Sequence, residues 1–196
     1  MEAISILVSV VALVISALTA WLTLLRKGNI KMTQPTMIAF VHEAPRDDQE
    51  KYAPKVYLRT LLYSTAPHGH VLENMYIRLR RDETAQNFSL WVYDTERGVV
   101  RGSGLFVGNQ GIALNHHFLP PDDTEYFFVA GDYFIDIYVN VVGHKKAKLL
   151  HTVRLSLKLG DASKLSNDMR AGVWFDWGPD SQKYHSKVLL APVKRQ

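Results

Sequence analysis

The chain has 196 residues, 47% of them hydrophobic and 21% charged, with a net charge of +4 and no cysteine. That balance suits one sizeable globular domain rather than a disordered chain, and the missing cysteines exclude disulfides, thiol nucleophiles and thiolate zinc sites. The 23 Lys and Arg are scattered rather than massed, so no nucleic-acid footprint is indicated.

Ile4 to Leu25 is an uncharged run of twenty-two residues. As a helix rising about 1.5 Å per residue it extends about 33 Å, enough to cross a hydrocarbon core of roughly 30 Å. A helix apolar on every face has no use in water. A cleaved signal peptide wants a basic start, a short apolar region and a small-residue cleavage site. Here the chain opens Met1-Glu2-Ala3, the apolar region is long, and Leu18-Thr19-Ala20 lies inside it. Residues 1–27 are therefore expected to be a retained transmembrane anchor with its flanks. Arg26, Lys27 and Lys31 follow the helix and no basic side chain precedes it, which predicts an outside N-terminus and a cytoplasmic soluble domain. Trp21, near the basic end, suits the membrane interface beside these three residues. Ser5, Ser9, Ala12, Ser16 and Ala20 recur at spacings of three and four and line one stripe. Small residues there allow close helix approach, hence an oligomerisation seam, although Ala and Ser are also simply common in spans.

Residues 28–34 read as a polar, basic juxtamembrane linker, after which the pattern turns to period two. Strands are expected at 36–42, 55–63, 74–80, 87–94, 126–129, 133–142, 146–158 and 187–193. Segments 104–107 and 112–118 read as a hairpin closed by Gly108-Asn109-Gln110-Gly111. Residues 44–54 are a proline-bounded loop, Pro120-Pro121-Asp122-Asp123 is a break, and 162–170 has room for a turn or two of helix. Within 87–94, Phe88, Leu90 and Val92 are expected on one face and Ser89, Trp91 and Tyr93 on the other. Within 146–158, Leu149, His151, Val153, Leu155 and Leu157 share the apolar face. So many short strands predict an antiparallel β-sandwich over residues 35–160, with 161–196 an aromatic C-terminal extension packing on it.

The stretch Ala130-Gly131-Asp132-Tyr133-Phe134-Ile135-Asp136-Ile137 resembles the corner before the sixth strand of immunoglobulin-like domains. The resemblance implies that Tyr133 is a corner tyrosine and that Ile135 stands where antibody domains keep a cysteine. The expected fold is thus a single N-terminal transmembrane α-helix plus a mainly-β domain, an antiparallel Ig-like β-sandwich.

Residues that carry chemistry are sparse. His68 and His70 would point the same way from an extended segment, and with His116 they are candidate metal ligands. Yet adjacent His116 and His117 face opposite sides of a strand, and no HExxH or other fixed-spacing ligand motif occurs, so no metal or cofactor is expected. His151 falls on an apolar face, as a hydrogen-bonded core histidine does. Asp47-Asp48, Asp122-Asp123 and Glu125 read as solvated turns, with calcium binding the sharper alternative. Asp132 and Asp136 share a strand face expected to meet solvent. Gly102-Ser103-Gly104 lacks the G-x-S-x-G frame of a nucleophile elbow, and Gly108–Gly111 lacks the Lys-Ser/Thr of a phosphate loop. Trp174, Phe175 and Trp177 read either as an aromatic strand covering the open end of the sandwich or as a partner-binding or membrane-touching surface. The expected function is a non-catalytic, membrane-tethered protein-interaction module. It would be an accessory or structural subunit in the lipid bilayer, bound to itself and to an unidentified protein partner. The alternatives are a membrane-anchored metal-binding protein or hydrolase using His68, His70 and His116, and an anionic-lipid sensor using Arg26, Lys27, Lys31 and the Arg78/Arg80/Arg81 face.

Overall fold

The computed structural model describes residues 2–25, 28–45, 51–121 and 124–190. Arg26, Lys27, Asp47, Asp48, Asp122, Asp123 and the end of the last expected strand lie outside the described residues. Helix α1 (Glu2–Ala20) runs into a π-helical turn, Trp21–Leu25. Its stretch Glu2–Thr23 has mean hydropathy 2.5 and none of it is buried. It is one N-terminal helix long and apolar enough to span a membrane, a property that a signal sequence shares. The hydroxyls of Ser9 and Ser16 donate to the carbonyls of Ser5 and Ala12 at 2.9 and 2.8 Å. Their protons are thus satisfied within the helix, and what they offer a neighbouring helix is small size rather than a free donor.

The rest is a mostly-β domain. Its strands are β1 (Ile30–Met32), β2 (Met37–Glu43), β3 (Ala53–Ser64), β4 (His70–Arg81), β5 (Thr84–Phe88), β6 (Leu90–Thr95) and β7 (Gly98–Arg101). They continue with β8 (Leu105–Val107), β9 (Ile112–Leu119), β10 (Gly131–Val141) and β11 (Lys148–Leu157), then helix α2 (Leu159–Asn167), β12 (Ala171–Gly178) and β13 (Lys183–Leu190). The larger antiparallel sheet has the order β13-β12-β2-β3-β9-β6-β7, with β1 lying beside β3. The smaller runs β11-β10-β4-β5, with β8 beside β4. The two sheets share one core. Phe40 of β2 meets Tyr133 of β10 edge-on at 5.1 Å, stacks on Phe128 at 4.6 Å and meets Phe175 of β12 at 5.3 Å. Strand β3 shows how the sequence builds this: Val56, Leu58 and Leu62 go inward while Tyr57, Arg59 and Tyr63 go outward.

Several expectations fail for identifiable reasons. Residues 28–34 are not a free linker, because Ile30 and Met32 are buried and β1 pairs with Leu62–Ser64 of β3, leaving Lys31 outward. The expected hairpin does not form: β8 pairs with β4, while β9 pairs with β3 and β6. Gly108–Gly111 instead carries the chain from one sheet to the other, and Gly111 takes the positive φ (+76°) that made it look like a hairpin turn. Segment 87–94 is two strands. At Ser89 the chain changes sheets, so Phe88 and Trp91 are both buried and the expected facing is inverted after the break. Tyr126–Val129 joins no ladder, although Phe128 is buried. A bulge opposite Ile137/Tyr138 turns Leu149 outward (46% exposed) and sets Leu150 against the core. Asp136 is not solvated: it is buried and gripped by Arg80 through Nε (2.7 Å) and Nη2 (3.2 Å), with Thr152 Oγ1 donating at 2.7 Å. Burial alone would raise its pKa, but the Arg80 and Thr152 hydrogen bonds and the Arg80 charge outweigh it and hold the carboxyl below its usual value.

Tyr133 is fully buried at the start of β10, where its hydroxyl donates to Val129 O at 2.6 Å and accepts from Val129 N at 3.0 Å. The Tyr133→Phe variant keeps the ring packing and loses both bonds, so we expect a loss of about 1–2 kcal/mol, read as a lower denaturant midpoint of the full chain in detergent.

Candidate functional site

The site follows from unequal sheet widths. Strands β12 and β13 extend the larger sheet beyond β2, whereas the smaller sheet stops at β11. Their register pairs Val173 with Val188, Phe175 with Ser186 and Trp177 with Tyr184, so these six share the inward face. Helix α2 packs against part of this overhang, and Ser186 Oγ donates to Asp161 Oδ2 at 3.2 Å. The remainder is a cleft of about 740 Å³. One wall is β11 with Val153 and Leu155, and the floor carries Phe175, Trp177, Tyr184 and Ser186. Among the described residues β11 pairs only with β10. Its other edge is a row of backbone N–H and C=O groups without a ladder, facing an uncovered floor.

A polar brace closes one end. Gln34 Nε2 donates to Tyr184 Oη at 2.8 Å, and Tyr184 Oη donates to Pro35 O at 2.7 Å. Gln34 Oε1 then accepts from His151 Nε2 at 2.7 Å, which fixes the histidine proton on that nitrogen. Burial pushes the Tyr184 phenol up to about 12, outweighing the Gln34 hydrogen bond, and burial lowers the His151 pKa, so both act as neutral donors. Trp177 leans on Tyr184 with ring centroids 5.0 Å apart. The charges that line the cleft are Arg154, Lys158 and Lys183 against Asp132 alone. Arg154 is taken by Asp132 at 2.6 Å, and among the described residues Lys158 and Lys183 have no ion-pair partner. Such a cleft can add an extended segment to β11, lay alternate side chains on the floor, and favour acidic ones.

Trp174, Phe175 and Trp177 do not form one surface. Phe175 is buried in the core, because period two sends it inward with Trp177 and sends Trp174 to the outer face. There Trp174 tilts against Tyr57 at 5.4 Å. The histidines are not gathered either. His70 Nδ1 shares a hydrogen bond with Ser64 Oγ at 2.9 Å, whereas His116 lies opposite Leu58, six residues and about 20 Å away along β3. His68 is exposed in the turn before β4. Among the described residues no group of three or more His, Asp or Glu could hold a metal. His116 is a core residue: its Nδ1 accepts from Trp91 Nε1 at 3.1 Å, so the proton sits on Nε2, which has no hydrogen-bond partner. Sequence reasoning missed a polar chain on the outer face of the larger sheet. Tyr57 Oη donates to Asn115 Oδ1 (2.8 Å), Asn115 Nδ2 donates to Asp94 Oδ2 (2.9 Å), and Asp94 Oδ1 meets His117 Nε2 at 3.0 Å. Its only signal was that Tyr57, Asn115 and His117 occupy outward positions of strands that turn out to be neighbours.

Compared with known proteins, the chain matches no protein-family model, and no curated protein resembles it significantly.

Burial, with the charge of His117 in support and Asp94 opposing, lowers the His116 pKa from 6.5 to about 3. The folded state therefore binds fewer protons than the unfolded one between these values. The stability this neutral histidine contributes is complete above pH 6.5 and drains away as pH falls toward 3. We expect an acid slope that includes about 1.4 kcal/mol per pH unit from this group. His116→Gln, which keeps an acceptor for Trp91, should flatten the slope by that amount in urea titrations between pH 6 and 4.

Proposed function

We propose that the chain is a non-catalytic interaction module held to a membrane by its N-terminal helix, and that the cleft beside β11 receives an extended, acidic segment of a partner protein. The observation that carries this reading is the edge of β11 standing over an inward face that, among the described residues, no strand covers. In strand addition, main-chain hydrogen bonds supply affinity and alternate side-chain seats supply specificity. Lys158 and Lys183, without an ion-pair partner among the described residues, give the acidic preference.

The domain is read as an Ig-like sandwich. In support, the order β2-β3-β9-β6 parallels strands ABED of that fold and β11-β10-β4 parallels GFC, while Tyr133 bonds to backbone just upstream as a corner tyrosine does. Strands β12 and β13 are then additions on the A side, and they create the cleft. The helix is read as a transmembrane anchor from its length, with the domain cytoplasmic because Arg26, Lys27 and Lys31 follow the span. Tethering raises the effective concentration of surface-bound partners and of further copies, which the Ser5, Ser9, Ala12, Ser16 and Ala20 stripe would bring together by close packing.

Two measurements test this. Extended peptides offered to the full chain in micelles should bind when acidic and slow amide exchange along β11, with Lys158→Glu plus Lys183→Glu weakening binding about tenfold, or about 1.4 kcal/mol. Binding indifferent to peptide charge, or exchange unchanged at β11, would contradict it. Separately, Ser9→Leu should lower energy transfer between labelled copies in vesicles, and an unchanged signal removes the seam.

A further inference from the structure

Three Cα steps separate the last helical residue, Leu25, from Gly28, the first described residue of the domain. Asn29 N–H donates to Thr65 Oγ1 at 2.7 Å, Thr65 N–H donates to Asn29 O at 2.9 Å, and Lys148 Nζ reaches Asn29 Oδ1 and Ile30 O at 3.0 and 3.1 Å. Gly28 is so close to the same turn that a Cβ there would lie 2.6 Å from Ala66 N. Leu25, the last helical residue, precedes Gly28 by three Cα steps, at most about 11 Å. The end of the domain that carries Thr65, Ala66 and the start of β4 is therefore confined to the neighbourhood of the helix end, whichever way the chain is oriented.

That end has a distinct surface. Strands β4 and β8 and the turn that follows β10 present a row of apolar side chains on the outer face of the smaller sheet. Val71 of β4 lies opposite Phe106 of β8, and on its other side Val142 N–H donates to Val71 O at 2.9 Å. Phe106, Val71 and Val142 are 59%, 38% and 58% exposed. The segment after β10 that contains Val142 adds exposed His144, Lys145 and Lys146, and Lys31 points outward from β1. The segments that meet at this end, 28–31, 65–70, 108–111 and 142–147, contain no Asp or Glu.

We propose that this end of the domain docks on the bilayer surface. Phe106, Val71 and Val142 enter the boundary between headgroups and acyl chains, about 5–10 Å deep, and Lys31, Lys145 and Lys146 meet anionic headgroups. The inference rests on the helix being a retained anchor, since the short join is what brings this surface to lipid. It gives the cleft a direction. β11 runs from Lys148 at the docked end to Leu157 at the far end, about 30 Å away, so the cleft opens along a line leading off the membrane.

A chain without cysteine accepts single spin labels. Val142→Cys and, as the distal control, exposed Leu159→Cys would be labelled in the full chain in phosphatidylcholine vesicles with and without phosphatidylserine. We expect the label at position 142 to collide with oxygen several-fold more, relative to an aqueous nickel chelate, than the label at 159. Lys145→Glu with Lys146→Glu should reduce that ratio in the anionic vesicles. Equal, water-like accessibility at both sites in a chain that resists carbonate extraction would overturn the docking and leave the anchor intact. Shielding of position 142 from oxygen and nickel alike would overturn it in favour of protein contact. Release of the chain by carbonate would overturn the anchor reading, and the docking with it.

Discussion

The chain leaves an apolar helix at Leu25 and is inside a buried strand at Ile30, five residues later. That short passage constrains everything downstream. Ile30 and Met32 are locked into the core beside β3, and Asn29 is bonded to Thr65 and Lys148, so the passage outside both helix and domain is limited to the three Cα steps from Leu25 to Gly28. A long linker of the same composition would let the domain sample a wide radius. Here one particular end must stay beside the helix, and its exposed apolar and cationic groups acquire a meaning they would lack on a free domain.

The second determinant is the mismatch between the two sheets. Strands β12 and β13 enlarge one sheet without adding a strand to the other, and α2 is too short to roof the excess. Phe175 resolves the mismatch locally by joining Phe40 in the core, while Trp177 and Tyr184 are left to a hydrogen-bonded brace with Gln34 and His151. Among the described residues, the uncovered floor and the unpaired edge of β11 are thus two faces of one topological fact. Burying backbone polar groups without partners is costly, so an edge like this either stays wet or takes a strand.

How much of this was legible in the sequence depended on the range of the interactions. The helix was legible because its signal is summed over some twenty neighbouring residues, and β3, β4, β10 and most of β11 because alternation persists long enough to fix a face. Tyr133 stood out only through a resemblance over eight residues; the bond of its hydroxyl to Val129, four residues away, is what the structure adds. What could not be read were the points where the chain changes sheets. Ser89 and the Gly108–Gly111 segment look like a mid-strand residue and a hairpin turn, since both use the same local conformations. The bulge that exposes Leu149 depends on how β11 registers against the preceding strand β10, which alternation within β11 does not encode, and the cleft depends on β12 docking against β2, more than 130 residues earlier. Lys31 also misled: one lysine between Ile30 and Met32 made a buried strand look like a basic linker.

The reading stands or falls on whether α1 stays with the domain. The most direct measurement is the intact mass of the chain recovered from carbonate-washed membranes. A retained anchor gives a membrane-bound species of about 22.3 kDa that still carries residues 1–25. A released species shortened at its N-terminus by the length of the helix would contradict it, because the domain would then be free of the bilayer that its join, its apolar row and its tethering require.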